Sequence, residues 1–158
     1  MSFSAPPIEP LSLRIASRLA AVGPLGERIR AACEERGMSA CAAAEVELSV
    51  VEAVNNAIEH AYALAEDGVV EVKLACQEGR LHIEVCDGGR SMAPQALADA
   101  VAPAVERQPT GALPEGGMGL FILKQLMDLV RYESAGGRNV LVMERRLDRQ
   151  PLAGGRWR

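Results

Sequence analysis

The stretch Glu52-Ala53-Val54-Asn55-Asn56-Ala57-Ile58-Glu59-His60-Ala61-Tyr62 decides how the rest of the chain is read. With the residues before it, it sets Val46, Val50, Val51, Val54, Ala57, Ile58 and Ala61 at helical intervals, a broad apolar face that predicts packing on a sheet. The opposite face gathers Glu45, Glu52, Asn56, Glu59 and His60. Glu52, Asn56 and His60 fall at i, i+4 and i+8, so their side chains stack along one line of the helix. A carboxylate and an amide oxygen so placed can reach one ligand. The same residues also suit a plain solvated face, and the segment alone does not choose between the two. Glu47 falls on the apolar side, where the periodicity does not account for it.

Toward the amino terminus, Ser39 opens this helix, which the pattern carries to about residue 65, and Gly37 stops an earlier helix near residue 36. Before that, Leu11, Leu13 and Ile15 alternate with Ser12, Arg14 and Ala16, the period of a short strand over residues 11–17. Toward the carboxyl terminus, Val70, Val72, Leu74 and Cys76 alternate with Glu71, Lys73 and Gln77. Leu81, Ile83 and Val85 repeat the pattern beyond Glu78-Gly79-Arg80, which predicts a hairpin with one buried face. From residue 87 to 117 Gly, Pro and Ala dominate, and Pro94, Pro103, Pro109 and Pro114 leave room for one short helix near residues 95–101. A helix resumes past Gly119 through Leu120, Phe121, Leu123, Leu126 and Met127, and strands over 129–133 and 139–144 flank the Gly136-Gly137 turn. These elements make an α/β two-layer sandwich: a mostly antiparallel sheet of four or five strands with three main helices on one face.

Two further segments carry chemistry. In Val85-Cys86-Asp87-Gly88-Gly89 an apolar strand ends at an acid followed by glycines. The carboxylate can accept a hydrogen bond from an exocyclic amine and glycine lets backbone approach a flat ring, although Asp-Gly is also a common turn. In Glu115-Gly116-Gly117-Met118-Gly119-Leu120 glycines end a Pro-rich loop where a helix begins. Free N–H groups at such a start suit a phosphate, and a ligand-free hinge reads from the same residues. No Lys-Ser/Thr follows the glycines and no strand precedes them, so this is neither a Walker loop nor a dinucleotide fingerprint.

Composition bounds the rest. The chain has 158 residues, 49% of them apolar, and a formal charge of −4. One domain can bury a core without staples, and no basic run offers phosphate-backbone binding, so direct nucleic-acid contact is not expected. Cys33, Cys41, Cys76 and Cys86 form no CxxC pair and read as small buried hydrophobes in a reducing, cytoplasmic compartment. Neither a leader nor a membrane span is expected. From residue 131 onward seven arginines face three acids, which reads as a solvated sheet edge.

The order and spacing of the run from Glu52 to Tyr62, of Asp87-Gly88-Gly89 and of Gly116-Gly117-Met118-Gly119-Leu120 resemble the N, G1 and G2 boxes of the anti-sigma-factor serine/threonine-protein kinases, partner-switching kinases of the gyrase and histidine-kinase-like ATPase superfamily. The resemblance implies a Bergerat-type ATP-binding fold over residues 11–147, with a lead at 1–10, an ATP lid at about 92–116 and a basic tail at 148–158. It implies ATP and Mg²⁺ as cofactors. Asn56 matches the magnesium-holding asparagine and Glu52 the general base toward the incoming hydroxyl. Asp87 matches the acid that reads the adenine amino group, with Gly89, Met92 and His60 beside the nucleotide. Gly116, Gly117, Met118, Gly119 and Leu120 match the segment that wraps the phosphates. Arg107 is the nearest lid cation, since Glu115 stands where some relatives carry arginine, and the second box keeps only Asp87, Gly89 and Pro94. The implied substrate is an anti-anti-sigma-factor protein, and the alternative partner a sigma factor or other regulator held inactive. A homodimer through the first strand is a further expectation. The rival readings are a nucleotide-dependent sequestering protein with little turnover and a detached histidine-kinase ATPase domain.

Overall fold

A computed structural model describes residues 9–100 and 118–152. The chain runs through β1 (Leu11–Ala16), a 3-10 turn (Leu19–Ala21), α1 (Val22–Glu35) and α2 (Ala40–Asn56), which passes into a π turn (Ala57–Ala61). Then follow β2 (Val69–Gln77), β3 (Arg80–Asp87), α3 (Met118–Leu126), β4 (Leu129–Ala135) and β5 (Arg138–Arg146). The sheet has the order β1-β2-β3-β5-β4. Every neighbouring pair is antiparallel, so among the described residues the expected mixture of strand directions is a purely antiparallel sheet.

Alternation along each strand, combined with the register, builds rows of side chains across the sheet. Leu13, Val72, Val85, Leu141 and Tyr132 form one row over all five strands, and Leu11, Leu74, Ile83, Met143 and Val130 form the next. The helical layer covers these rows with Ile29, Val46, Val50, Val54, Ile58 and Leu123, and together they make one core. A leucine or isoleucine taken out of water in this way contributes about 1.5–3 kcal/mol. The other face of the sheet carries Arg14, Lys73, His82, Glu84 and Arg131, with Cys86 and Val142 buried among them.

Ser39 caps α2 as its sequence position predicts, its Oγ accepting from Ala42 N at 3.1 Å. The helix is shorter than its periodicity suggests. It widens at Ala57–Ala61, and Ala63 and Leu64 then turn left-handed at φ 49° and 66°. Tyr62 accounts for this early exit: its ring lies against Gly68 and its hydroxyl donates to Val69 O at 2.7 Å, bringing the chain back into β2.

Three sequence expectations are corrected here. Glu45, read as part of the polar face, is 9% exposed, and Arg145, counted with the solvated arginines, is 0% exposed. They pair at 2.8 Å; Arg145 also donates to Leu126 O at 2.8 Å, while the other oxygen of Glu45 accepts from Leu152 N at 2.8 Å. The pair ties α2, the end of α3, β5 and the segment after it. Cys41 is exposed and Cys76 half-buried, whereas Cys33 and Cys86 are buried as expected; burial pushes the Cys33 thiol up to about 12, which keeps it unreactive. Glu47 finds its place against α1, its side chain over Gly26 and its carboxylate 3.8 Å from Arg30. Pro94–Asp99 forms turns rather than a helix.

Candidate functional site

The exposed side of α2 and its π turn overhangs one end of the sheet. Between them lies a cavity of about 560 Å³ whose apolar walls include Ala57, Val85, Leu120 and Leu141. Asn56, His60, Asp87, Met92 and Leu120 line the same cavity, so five residues singled out from three distant stretches of sequence converge on it. His60 is exposed at its rim, carried by the wider turn.

Glu52 and Asn56 sit one turn apart and meet the start of α3 rather than solvent. A Cβ built on Gly119 would lie 2.8 Å from Glu52 Oε2 and 3.5 Å from Asn56 Nδ2, so any larger residue there would push the Glu52 carboxylate aside. Met118 opens α3 half-buried, and Leu120 turns into the cavity wall. Burial, and after it the nearby Glu59 carboxylate, pushes the Glu52 carboxyl above its ordinary range. Neither the Glu52 carboxylate nor the Asn56 amide has a hydrogen-bond partner among the described residues, where no group of three or more acids, histidines and cysteines could hold a metal by itself. A Mg²⁺ ion fits such a pair only as Mg²⁺ usually binds, through one or two protein oxygens with phosphate oxygens and water completing its shell. Arg107, Gly116 and Gly117 lie outside the described residues.

Asp87 closes β3 at the opposite end of the cavity. Its Oδ1 accepts from Gly89 N at 2.9 Å and from Asn139 Nδ2 at 2.7 Å. Gly89 is pressed against the π turn: an added Cβ would fall 2.4 Å from Ala61 O, and the next residue, Arg90, donates its N–H to that same oxygen at 2.8 Å. Sequence reasoning missed the residues that hold this end. Tyr62 Oη accepts from Gly88 N at 2.8 Å, Tyr132 Oη accepts from Met92 N at 2.9 Å, and Asn139 is buried beside Asp87. Only Asn139 left a local signal, an amide at an inward position of an otherwise apolar strand. The tyrosines act across pairings that no local pattern encodes. A larger cavity of about 900 Å³ lies beyond Met92 and Tyr132, but its charges are engaged within the protein. Lys124 binds the carbonyls of Leu97 and Ala100, each at 3.1 Å, and Asp128 pairs with Arg149.

The arrangement provides a largely apolar cavity lined by the Asp87 acceptor and the Asn56 amide, with Glu52 beside Asn56 against the start of α3. The family described as "Histidine kinase-like ATPase domain" matches residues 15–145. Serine-protein kinase RsbW of Halalkalibacterium halodurans is 33% identical over 108 residues, 68% of this chain and 65% of that protein. Serine-protein kinase RsbW of Bacillus subtilis is 32% identical over 93 residues, 59% of this chain and 58% of the relative. In each case the match spans less than two thirds of the relative's length. Among solved structures, the RsbU and RsbW domains of Rv1364c from Mycobacterium tuberculosis superpose with a TM-score of 0.65 at 21% identity, covering 92% of this chain and 34% of that one. The histidine kinase domain of Erythrobacter litoralis EL346 gives 0.51 at 21% identity, over 84% of this chain and 62% of the other. Both likenesses speak for the fold.

Proposed function

The chain belongs to the histidine kinase-like ATPase domain family, and from that premise we propose that it binds ATP and transfers the γ-phosphoryl group to a serine or threonine of a partner protein. One observation carries this reading. Asn56 and Asp87 line one cavity, and Glu52, one turn before Asn56, lies with it against the start of α3. In this reading Asp87 Oδ2 accepts the exocyclic amine of adenine, and Leu120, Val85 and Leu141 cover the ring faces. Asn56 Oδ1 holds Mg²⁺, and when bound the ion neutralises phosphate charge and keeps the phosphates in line. Glu52 Oε2 orients the incoming hydroxyl and takes its proton, a task for which a carboxyl raised above its ordinary range is suited. The resemblance assigns Gly116 and Gly117 to the phosphates and Arg107 to the γ-phosphate, and all three lie outside the described residues.

The matched relatives named as serine-protein kinases support a protein hydroxyl as acceptor. The partner we assign is a small anti-anti-sigma-factor protein, with a sigma factor or other regulator bound in its absence, in the cytoplasm. Among the described residues no helix is long and apolar enough to cross a membrane. Labelled ATP mixed with the pure protein and a candidate antagonist encoded nearby tests the reading. Label appearing on a serine or threonine of the partner supports it. Tight ATP-dependent binding without label transfer replaces it with sequestration alone.

A further inference from the structure

Asn139 pairs with Asp87 of β3 on one side and with Ser134 of β4 on the other, so the three form a row across the sheet at the mouth of the cavity. It is 2% exposed and its amide is fully used. Nδ2 donates to Asp87 Oδ1 at 2.7 Å and to Gly89 O at 3.0 Å, and Oδ1 accepts from Ser134 Oγ at 2.7 Å. Two groups that can only accept, the Asp87 carboxylate and the Gly89 carbonyl, fix which way the amide faces, and Ser134 Oγ then donates to the remaining amide oxygen. Asp87 Oδ1 also accepts from Gly89 N at 2.9 Å. One carboxylate oxygen is therefore held by two donors, and Oδ2 has no partner among the described residues. An apolar residue would fill this place in the core without needing partners. The amide here is aimed at the acid and at the turn that carries it.

Resting on the nucleotide reading above, we propose that Asn139 is the positioning residue that sets base choice, holding Asp87 so that Oδ2 alone meets the edge of the purine. A fixed acceptor receives the 6-amino group of adenine and opposes the 6-oxo group of hypoxanthine or guanine head-on. Released from Asn139, the carboxylate swings about its terminal bond and admits a water between itself and a 6-oxo group. The anchor on Gly89 O is lost at the same time. ATP then keeps part of its affinity while the penalty on the 6-oxo base falls.

The test is a titration of the full chain with Mg²⁺-ATP and Mg²⁺-inosine triphosphate, which differ at the purine 6-position. The wild type is expected to prefer ATP by roughly tenfold to a hundredfold, the worth of one hydrogen bond to a charged acceptor. Asn139→Ala should bring the two nucleotides within about threefold of each other, the bond-dependent part of that ratio being lost. Asn139→Leu, of similar volume and without donors, should do the same; should Asn139→Ala not fold, this variant decides alone. A purely structural Asn139 would lower both affinities together and leave the ratio at its wild-type value, which overturns the proposal. Binding of neither nucleotide by the wild type overturns the nucleotide reading itself, and this role with it.

Discussion

β5 carries a buried polar side chain at each end of its inward face, Asn139 beside the cavity and Arg145 at the far end, and their surroundings differ in what is left open. Around Arg145, both oxygens of Glu45 are taken up by protein N–H groups and the charges cancel inside the fold. Arg145 Nε and Nη2 are buried and have no partner among the described residues. Around Asn139 the hydrogen bonds stop one short: Asp87 keeps Oδ2 free, and across the cavity Glu52 and Asn56 have no partners among the described residues. The first centre lines neither of the two cavities described above and ties α2, α3 and β5 together. The second holds its acid in place through Asn139, and Asp87 and Asn56 line a space of about 560 Å³.

The two centres should therefore answer to substitution in different currencies. The largest effect is expected at the open end: Glu52→Gln should slow phosphoryl transfer by about 10²–10⁴-fold while fold and ATP affinity persist. Single-turnover phosphorylation at saturating ATP and partner, with separate titrations of each, measures this, and transfer at the wild-type rate would remove Glu52 from catalysis. Next in size, at the closed end, Arg145→Ala or Glu45→Ala should cost about 3–5 kcal/mol of folding stability, because each leaves an uncompensated buried charge. Replacing both residues by Met should recover most of that loss. Urea unfolding of the four proteins checks it; equal losses in the single and double variants would show that the pair does not act as a unit. Third, Asp87→Asn should weaken ATP and ADP alike by about 1.5–3 kcal/mol, with a much smaller change in unfolding midpoint. Calorimetry giving unchanged affinity for both would place the base elsewhere.

The smallest expected effect sharpens the contrast within one residue. Burial raises the Glu52 carboxyl in the folded state, with Glu59 adding to it, so the fold favours the uncharged form. The stability this provides is complete below the ordinary carboxylate range and is lost as pH rises through the raised folded value. Glu52→Gln removes that loss. The variant should be the more stable protein at neutral pH, and its thermal midpoint should converge on the wild type in acid. A gap that widens toward acid would contradict the sign.

The sequence disclosed the parts of this molecule whose pattern repeats locally. Alternation placed β1, the β2–β3 hairpin and the β4–β5 hairpin, and the three-and-four spacing placed α2, because each of these elements has one buried face. The convergence of Asn56, His60, Asp87 and Met92 was legible through the family resemblance, whose boxes keep their order along the chain. The residues that hold the site were not. Tyr62 and Tyr132 act on backbone N–H groups 26 and 40 residues away in sequence, contacts that only the finished topology creates. Arg145 was misread for a different reason. Seven arginines in the last part of the chain suggested a solvated edge, although the alternation Asn139, Leu141, Met143, Arg145 already pointed it inward. Composition averaged over a segment concealed what the period of the strand stated.

That same alternation limits how the chain can vary in length. Asn139 and Arg145 are separated by an even number of positions, and each is buried against partners fixed by other elements: Asp87 and Ser134 at one end, Glu45 and Leu126 at the other. A residue inserted or deleted between them leaves no regular register in which both side chains face the helices, since every one-residue slip sends a side chain to the opposite face. Among descendants of this sequence, length differences should gather in the segment between β3 and α3 and beyond Leu152, while the distance from Asn139 to Arg145 stays constant even where the residues between them drift.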